Sequence, residues 1–342
     1  MKKRLLALFL VFAMLLPVFS MGAFADSDEA GGTTNSVTVY FSVTDDASFM
    51  DGMVMKKIEV PYFDIANYGL EDFYFSSERY TSVPGWSDGD KPASDLKPGT
   101  KEYAEGQITM LHLFIYALER YHLGCPVNDA GTGLYYRNGS ITDDDLSISG
   151  SAGSMFMNYY WGMDLNLNYY KNYEYPLASS GWGATADQIL LHDGDIITLG
   201  HFTSWSFFSE PNSIFGYVQP TEVGATGTVA ETTVTAGTPV DVTLYHAGAS
   251  ESGDYTTAHT AFGEGIPLYC CKLEDISEGT TDTLDIGSEW ARVGTSDENG
   301  HVTVNTSGMS AGTYVLAMPG QKGITDTENI SCTPGCLRLV IQ

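Results

Sequence analysis

A single stretch of this chain carries a clear helical repeat, and its surroundings are written in strands. Between residues 100 and 124, in TKEYAEGQITMLHLFIYALERYHLG, the residues Ile108, Leu111, Phe114, Ile115 and Leu118 recur at helical spacing, and Gly124 supplies a stop. A lone helix must bury its apolar stripe against a sheet, which restricts this half of the chain to an α+β arrangement. The sheet is written on either side. VTVYFSV alternates cleanly, with Val37, Val39, Phe41 and Val43 on one face and Thr38, Tyr40 and Ser42 on the other. KKIEVPYF reads as its partner strand, ending at Pro61. After the helix come an irregular stretch (128–153), an aromatic strand SMFMNYYWGMDLN, and a last strand pair within YPLASSGWGATADQILLHDGDIITLGHF.

Strand, strand, helix, strand, strand is the order of a β-grasp fold. The segments MLHLFIYALERYHLG, MNYYWGMDLN and GWGATADQILLHDGDIITL together resemble the transcobalamin-like C-terminal domain family of exported bacterial proteins. In that family a helix with a Leu/Ala face precedes an aromatic strand and then a Leu-x-x-Gly-Asp-x-Ile element, which Leu191 to Ile197 match. The resemblance spans 37–218 with two insertions, and it implies a corrinoid as a candidate ligand.

A change of texture at VQPTEVGATGTVAETTVTAGTPV, Val218 to Val240, reads as a linker around Pro220. Beyond it, 227–342 reads as an all-β sandwich. Val240, Val242 and Leu244 alternate with polar residues; GIPLYCCKLED is a strand; Asn299-Gly300 marks a turn; and CLRLVIQ alternates through Leu337, Leu339 and Ile341. The run DENGHVTV…AGTYVLA resembles the Ig-like modules of bacterial surface proteins, which implies a spacer or adhesive role.

The first residues read as a secretory signal peptide over 1–25: Lys2, Lys3 and Arg4, an apolar run from Leu5 to Val18, and the small-x-small site Ala23-Phe24-Ala25. The remaining chain of about 317 residues suits two ordinary domains. Taking those 3 basic residues from the total of 16 leaves 13 against 43 acidic ones, a net charge of about −30. Such a surface repels nucleic acid and anionic membranes, so neither is expected as a partner, and no membrane insertion is expected.

Chemistry-bearing motifs are few. GWGATA lacks the third glycine and the following helix of a dinucleotide loop, and it has no phosphate-binding lysine, so Gly181 and Gly183 read as a turn displaying Trp182. HDGD could supply His192, Asp193 and Asp195 to a metal or to proton transfer; the simpler reading is a turn with Gly194 at positive φ and Asp193 capping its own backbone. His112 and His122 do not share a helix face, and His112 reads as a satisfied core residue. The five cysteines are too few for a disulfide scaffold. Cys270 and Cys271 should point to opposite faces, one bridge within the second domain is expected, and Cys125 should be free. No set of His or Cys ligands makes a zinc site. WSDGDKPASD and TDDDLS hold closely spaced oxygens but miss the EF-hand pattern, leaving a weak calcium site as a side reading.

The aromatic residues carry the functional expectation. Tyr159 and Trp161 on the aromatic strand, Tyr170 and Tyr173 in NYYKNYEYP, Trp182 in its turn and Trp205 in HFTSWSFF form a candidate ligand-binding set, since aromatics with polar tips bury area at low entropy cost. The alternative is that they fill a core. The expectation is a secreted, non-catalytic protein, at the cell surface or beyond it, that binds a small molecule, with adhesion to a glycan or host protein second and a secreted hydrolase third.

Overall fold

The computed structural model describes residues 35–43, 54–68, 107–124, 126–127, 136–137, 140–142, 146–149, 157–160, 164–174, 186–202, 215–249, 257–276, 289–319, 321–322, 331–332 and 335–342. The signal-peptide reading, the acidic stretch WSDGDKPASD, the aspartates of TDDDLS, residues 181–185 of the GWGATA turn and Cys125 lie outside them. The described residues are mostly β-sheet with one short helix.

β1 (Ser36–Val43) and β2 (Lys56–Pro61) pair antiparallel, Val37 opposite Val60 and Val39 opposite Ile58. Their alternation is as read: Val39, Phe41, Ile58 and Val60 are buried. Helix α1 (Met110–Ala117) passes into a π-helical segment, Leu118–Leu123, which Gly124 ends at φ 66. The helix is shorter than its sequence repeat. Residues 107–109 are extended instead, because Leu191 N–H donates to Ile108 O and Met110 N–H to Ile189 O, and Thr109 bridges Leu190. That pairing satisfies backbone groups that a first helical turn would leave open.

The stretch 128–153, read as irregular, contains β3 (Tyr136–Arg137), β4 (Ser140–Thr142) and β5 (Leu146–Ser149). The single aromatic strand is a hairpin, β6 (Met157–Tyr160) and β7 (Asp164–Lys171), with Tyr160 opposite Asp164. Where a last strand pair is expected, the described residues hold one strand, β8 (Ile196–Phe202), preceded by a 3-10 turn at Ala186–Gln188. All eight form one sheet in the order β2-β1-β8-β7-β6-β5-β4-β3. β1 and β8 are parallel, Tyr40 opposite Ile196, and the other pairs are antiparallel.

The rest of the chain forms two further sheets. β9 (Phe215–Pro220), β10 (Glu231–Val234), β11 (Val240–Ala249), β12 (Thr257–Ala261), β13 (Pro267–Lys272), β14 (Ala291–Thr295), β15 (His301–Val304) and β16 (Gly312–Met318) precede a two-stranded ribbon of β17 (Gln321–Lys322) and β18 (Ser331–Cys332) and the final β19 (Gly335–Ile341). One sheet runs β10-β19-β16-β13-β14; the other runs β12-β11-β15 with β9 also on β11. Val242, Leu244 and Val304 of the second sheet meet Leu316, Leu337 and Leu339 of the first in one apolar cluster, the sandwich core.

Two expectations are corrected at this join. Phe215–Pro220, placed at the end of the first domain and start of a linker, pairs with β11 and so belongs to the sandwich. Glu231–Val234, read as linker, is strand β10, parallel to β19. Moreover, the sheet containing β13, β16 and β19 is covered on both faces. Cys270, Leu316 and Leu337 face the sandwich core, while their neighbours Cys271, Val315, Ala317 and Cys336 join a second cluster with Met55, Tyr170, Tyr173 and Ile196 of the first sheet. Strand alternation makes the layering plain: Ile197 and Phe41 turn away from this cluster, and Ile196 and Tyr40 turn into it.

Candidate functional site

Of the six aromatic candidates, Tyr159 lies on β6, with its side chain outside the described residues; Trp161, Trp182 and Trp205 are outside them altogether. Tyr170 and Tyr173 are described, and neither is displayed to solvent. Their exposures are 4% and 3%, and both belong to the cluster between the first sheet and the sandwich. They fill a core, the alternative place for the aromatic set.

Tyr173 gets there through a tight turn. Lys171 and Glu174 exchange backbone hydrogen bonds, and between them Asn172 and Tyr173 sit at φ 54 and 64. Two successive positive φ values match the twist of a short hairpin, a conformation that glycine accepts freely and that costs an ordinary residue roughly 1–2 kcal/mol. Asn172 compensates locally: its Oδ1 accepts from Ile196 N–H and its Nδ2 donates to Asp195 Oδ1, both at 2.8 Å. The Tyr173 ring stacks on Tyr217 at 4.3 Å between centroids, and Tyr217 stacks in turn on Tyr245 at 5.3 Å. Gln219, fully buried, donates from Nε2 to Tyr173 Oη at 3.0 Å, and its Oε1 accepts from Val229 N–H. Burial raises the Tyr173 and Tyr217 hydroxyls above the ordinary phenol range, so both remain protonated donors.

The join carries charges as well. Arg338 sits between Leu337 and Leu339 and so faces away from the sandwich core; its Nη1 donates to Met55 O at 3.0 Å and its Nε to Glu231 Oε2 at 2.9 Å. His259 of β12 stands between the two parts, with Nε2 at 2.7 Å from Glu174 Oε1 and Nδ1 at 2.9 Å from Tyr217 Oη. None of His259, Glu174, Tyr217, Tyr245 or Gln219 stood out in the sequence. The one available signal was a histidine and a glutamine inside strand-like runs, where a side chain's partner lies many residues away.

HDGD is a turn, and Gly194 takes φ 89. The cap differs from expectation. Asp193 Oδ1 accepts from the Thr38 backbone N–H at 2.7 Å, tying the turn to β1. The intra-turn cap belongs to Asp195, whose Oδ2 accepts from His192 N–H at 2.8 Å. Asp195 also pairs with Lys171 Nζ at 2.8 Å, and that ammonium donates to Leu190 O at 2.6 Å. His192 and Asp195 thus share a network, but its bonds pin a turn and a strand end to β1 and β7.

His112 is the satisfied core residue expected. Its Nδ1 accepts from Thr109 N–H at 3.1 Å, and its Nε2, 3.2 Å from Phe63 O, is therefore the protonated nitrogen. Burial pushes its pKa down to about 4, so the ring is neutral near pH 7. Cys270 and Cys271 do face opposite ways, into the two clusters. Cys270, Cys271 and Cys336 are free and buried, so Cys336 forms no bridge. Burial holds Cys270 and Cys336 up to about 12 and Cys271 up to about 11, leaving the thiols protonated. Among the described residues no group of three or more His, Cys, Asp or Glu could hold a metal ion, and no helix is long and apolar enough to cross a membrane. Comparison with family models, with curated proteins and with solved structures returns no match to this chain.

Proposed function

We propose an exported, non-catalytic binding protein, in which a β-grasp-like domain of the transcobalamin C-terminal type is carried on an Ig-like sandwich. The topology supports the first assignment: β1 and β8 lie side by side and parallel at the centre of β2-β1-β8-β7, with the helix between β2 and β8 in sequence. The second is supported by the split at the start of the sandwich, where β9 joins one sheet beside β11 and β10 joins the other parallel to β19. The observation that carries the functional reading is where the aromatic residues fall. Tyr170 and Tyr173 are spent on the join, while β6, which carries Tyr159, lies in the meander β3 to β7 that extends the sheet away from the helix-covered strands. Tyr159, Trp161, Trp182 and Trp205 are then the ligand-contacting set, a small molecule such as a corrinoid the first candidate ligand, and calcium in an acidic loop an accessory at most. Export rests on Lys2 to Ala25.

Gel filtration of the exported form with excess cobalamin, read in the visible, tests this reading. Co-elution of colour, lost in Tyr159→Ala and Trp182→Ala, is the expected result; complete separation at high micromolar protein detaches the fold from that ligand. Adhesion is the second reading, favoured by the firm attachment of the sandwich through Tyr173 and Arg338. Retention on immobilised glycans or matrix proteins, without cobalamin binding, would make it primary.

A further inference from the structure

Asn172 and Tyr173 take positive φ inside their tight turn. Among the described residues the remaining non-glycine at positive φ is Met55, at 46°, in the bend that leads into β2. A long side chain is rarely found in this left-handed region, so its surroundings must hold it there. Three contacts do so. The Met55 N–H donates to Ser42 Oγ at 2.8 Å, and its O accepts from Arg338 Nη1 at 3.0 Å. The side chain, 2% exposed, lies in the cluster shared with the sandwich.

The strand pairing breaks at the same place. β1 runs on beside β8 as far as Val43, opposite Leu199, yet its pairing with β2 stops at Phe41 and Lys56. One more step of that register would put Met55 opposite Ser42. Instead the left-handed residue takes the chain out of the ladder and turns its carbonyl to the sandwich. Ser42 belongs to the first sheet, whereas Arg338 comes from β19. The guanidinium is itself fixed: Nε donates to Glu231 Oε2 on β10 at 2.9 Å, and Cζ lies 5.6 Å from the ring centre of Tyr40 on β1. One cation thus joins two strands of the sandwich to β1 and to the start of β2.

We propose that Met55 is a two-state relay of this joint, left-handed while Arg338 and the sandwich are docked against it and extended when they are not. The reason lies in where the holding contacts come from. Arg338 and the shared cluster are supplied by the sandwich, and without them the Ser42 bond alone opposes the steric cost of a left-handed methionine. The extended form removes that cost and lengthens the β1–β2 ladder by a step. The coupling is reciprocal: whatever fixes residue 55 in the left-handed form favours docking, and whatever draws it into the ladder favours release. The relay stands whichever ligand the protein binds.

The test follows position 55 in the full exported chain by amide hydrogen exchange and by its Cα chemical shift. Arg338→Met is compared with the wild type, and Arg338→Lys is read by the same criteria if that substitution folds poorly. Exchange at Met55 should become about tenfold faster or more and its Cα shift should move to an extended value, while the Ile58 and Val60 amides change by about twofold or less. The same comparison is repeated with Met55→Gly in both proteins. Glycine takes the left-handed form without cost, so removing Arg338 should then leave exchange at position 55 within about twofold. An unchanged Met55 Cα shift in Arg338→Met overturns the relay. So does an equal acceleration at Met55, Ile58 and Val60, or the same acceleration with and without Met55→Gly.

Discussion

At the residue scale, Tyr173 has two roles that can be separated. Tyr173→Phe keeps the stack on Tyr217 and removes only one of three acceptors around Gln219 Nε2, which still donates to Val218 O and Val229 O, so urea unfolding should show a loss of about 1 kcal/mol or less. Tyr173→Ala also removes a buried aromatic ring and should cost about 3–5 kcal/mol. His112 sets part of the pH response. Its pKa is about 4 in the folded chain against an ordinary 6.5, so the unfolded chain binds the extra proton between those values. Stability from this group is complete above pH 6.5 and drains away as pH falls towards 4, by about 3 kcal/mol in full. A His112→Gln variant, less stable overall, should show a shallower fall over that interval in denaturant titrations. The thiols give a third check. Cys270, Cys271 and Cys336 should resist alkylation in the native protein and react once it is unfolded, as peptide mapping would reveal.

At the scale of elements, local sequence identified periods well and partners poorly. The β1 alternation, the existence of helix α1, the Gly194 turn and the opposed Cys270 and Cys271 all follow from chain geometry within a few residues, so they could be read directly, whereas α1 is buried on nearly every side instead of along one stripe. The split of SMFMNYYWGMDLN into β6 and β7 is harder to read, because aromatic residues dominate the run and Gly162 marks the break alone, without a two-residue turn pair such as Asn-Gly or Asp-Gly. The late start of the helix could not be read, because it depends on pairing with Leu190 and Leu191 some eighty positions away. Gly335 belongs here too. A Cβ at this position would stand 2.5 Å from the Tyr217 Cα and N, where β19 crosses β9 at backbone contact. Neither backbone can yield cheaply, so Gly335→Ala should lower stability by about 2 kcal/mol or more in thermal unfolding, well beyond an exposed Gly→Ala change.

At the scale of the whole molecule, the first sheet and the sandwich share one buried cluster, and residues 35–342 make one compact unit. Calorimetry should therefore show a single cooperative transition for this body; two resolved transitions would mean that the shared cluster does not couple them. Replacing Arg338 with Ala, which strips Met55 O and Glu231 of their partner, should weaken that coupling and broaden the transition. The sequence by itself determined the one helix, strands such as β1, β2, β11 and β19 with their apolar faces, and the excess of acidic residues, because each is fixed by residues close together in the chain. The tertiary structure decided what the second faces meet. Tyr170, Tyr173, Cys271 and Arg338 look like surface or site residues as long as each sheet is imagined with one face in water. They become core because two sheets stack, and no local pattern distinguishes an aromatic face awaiting a ligand from one covered by the chain's own next sheet.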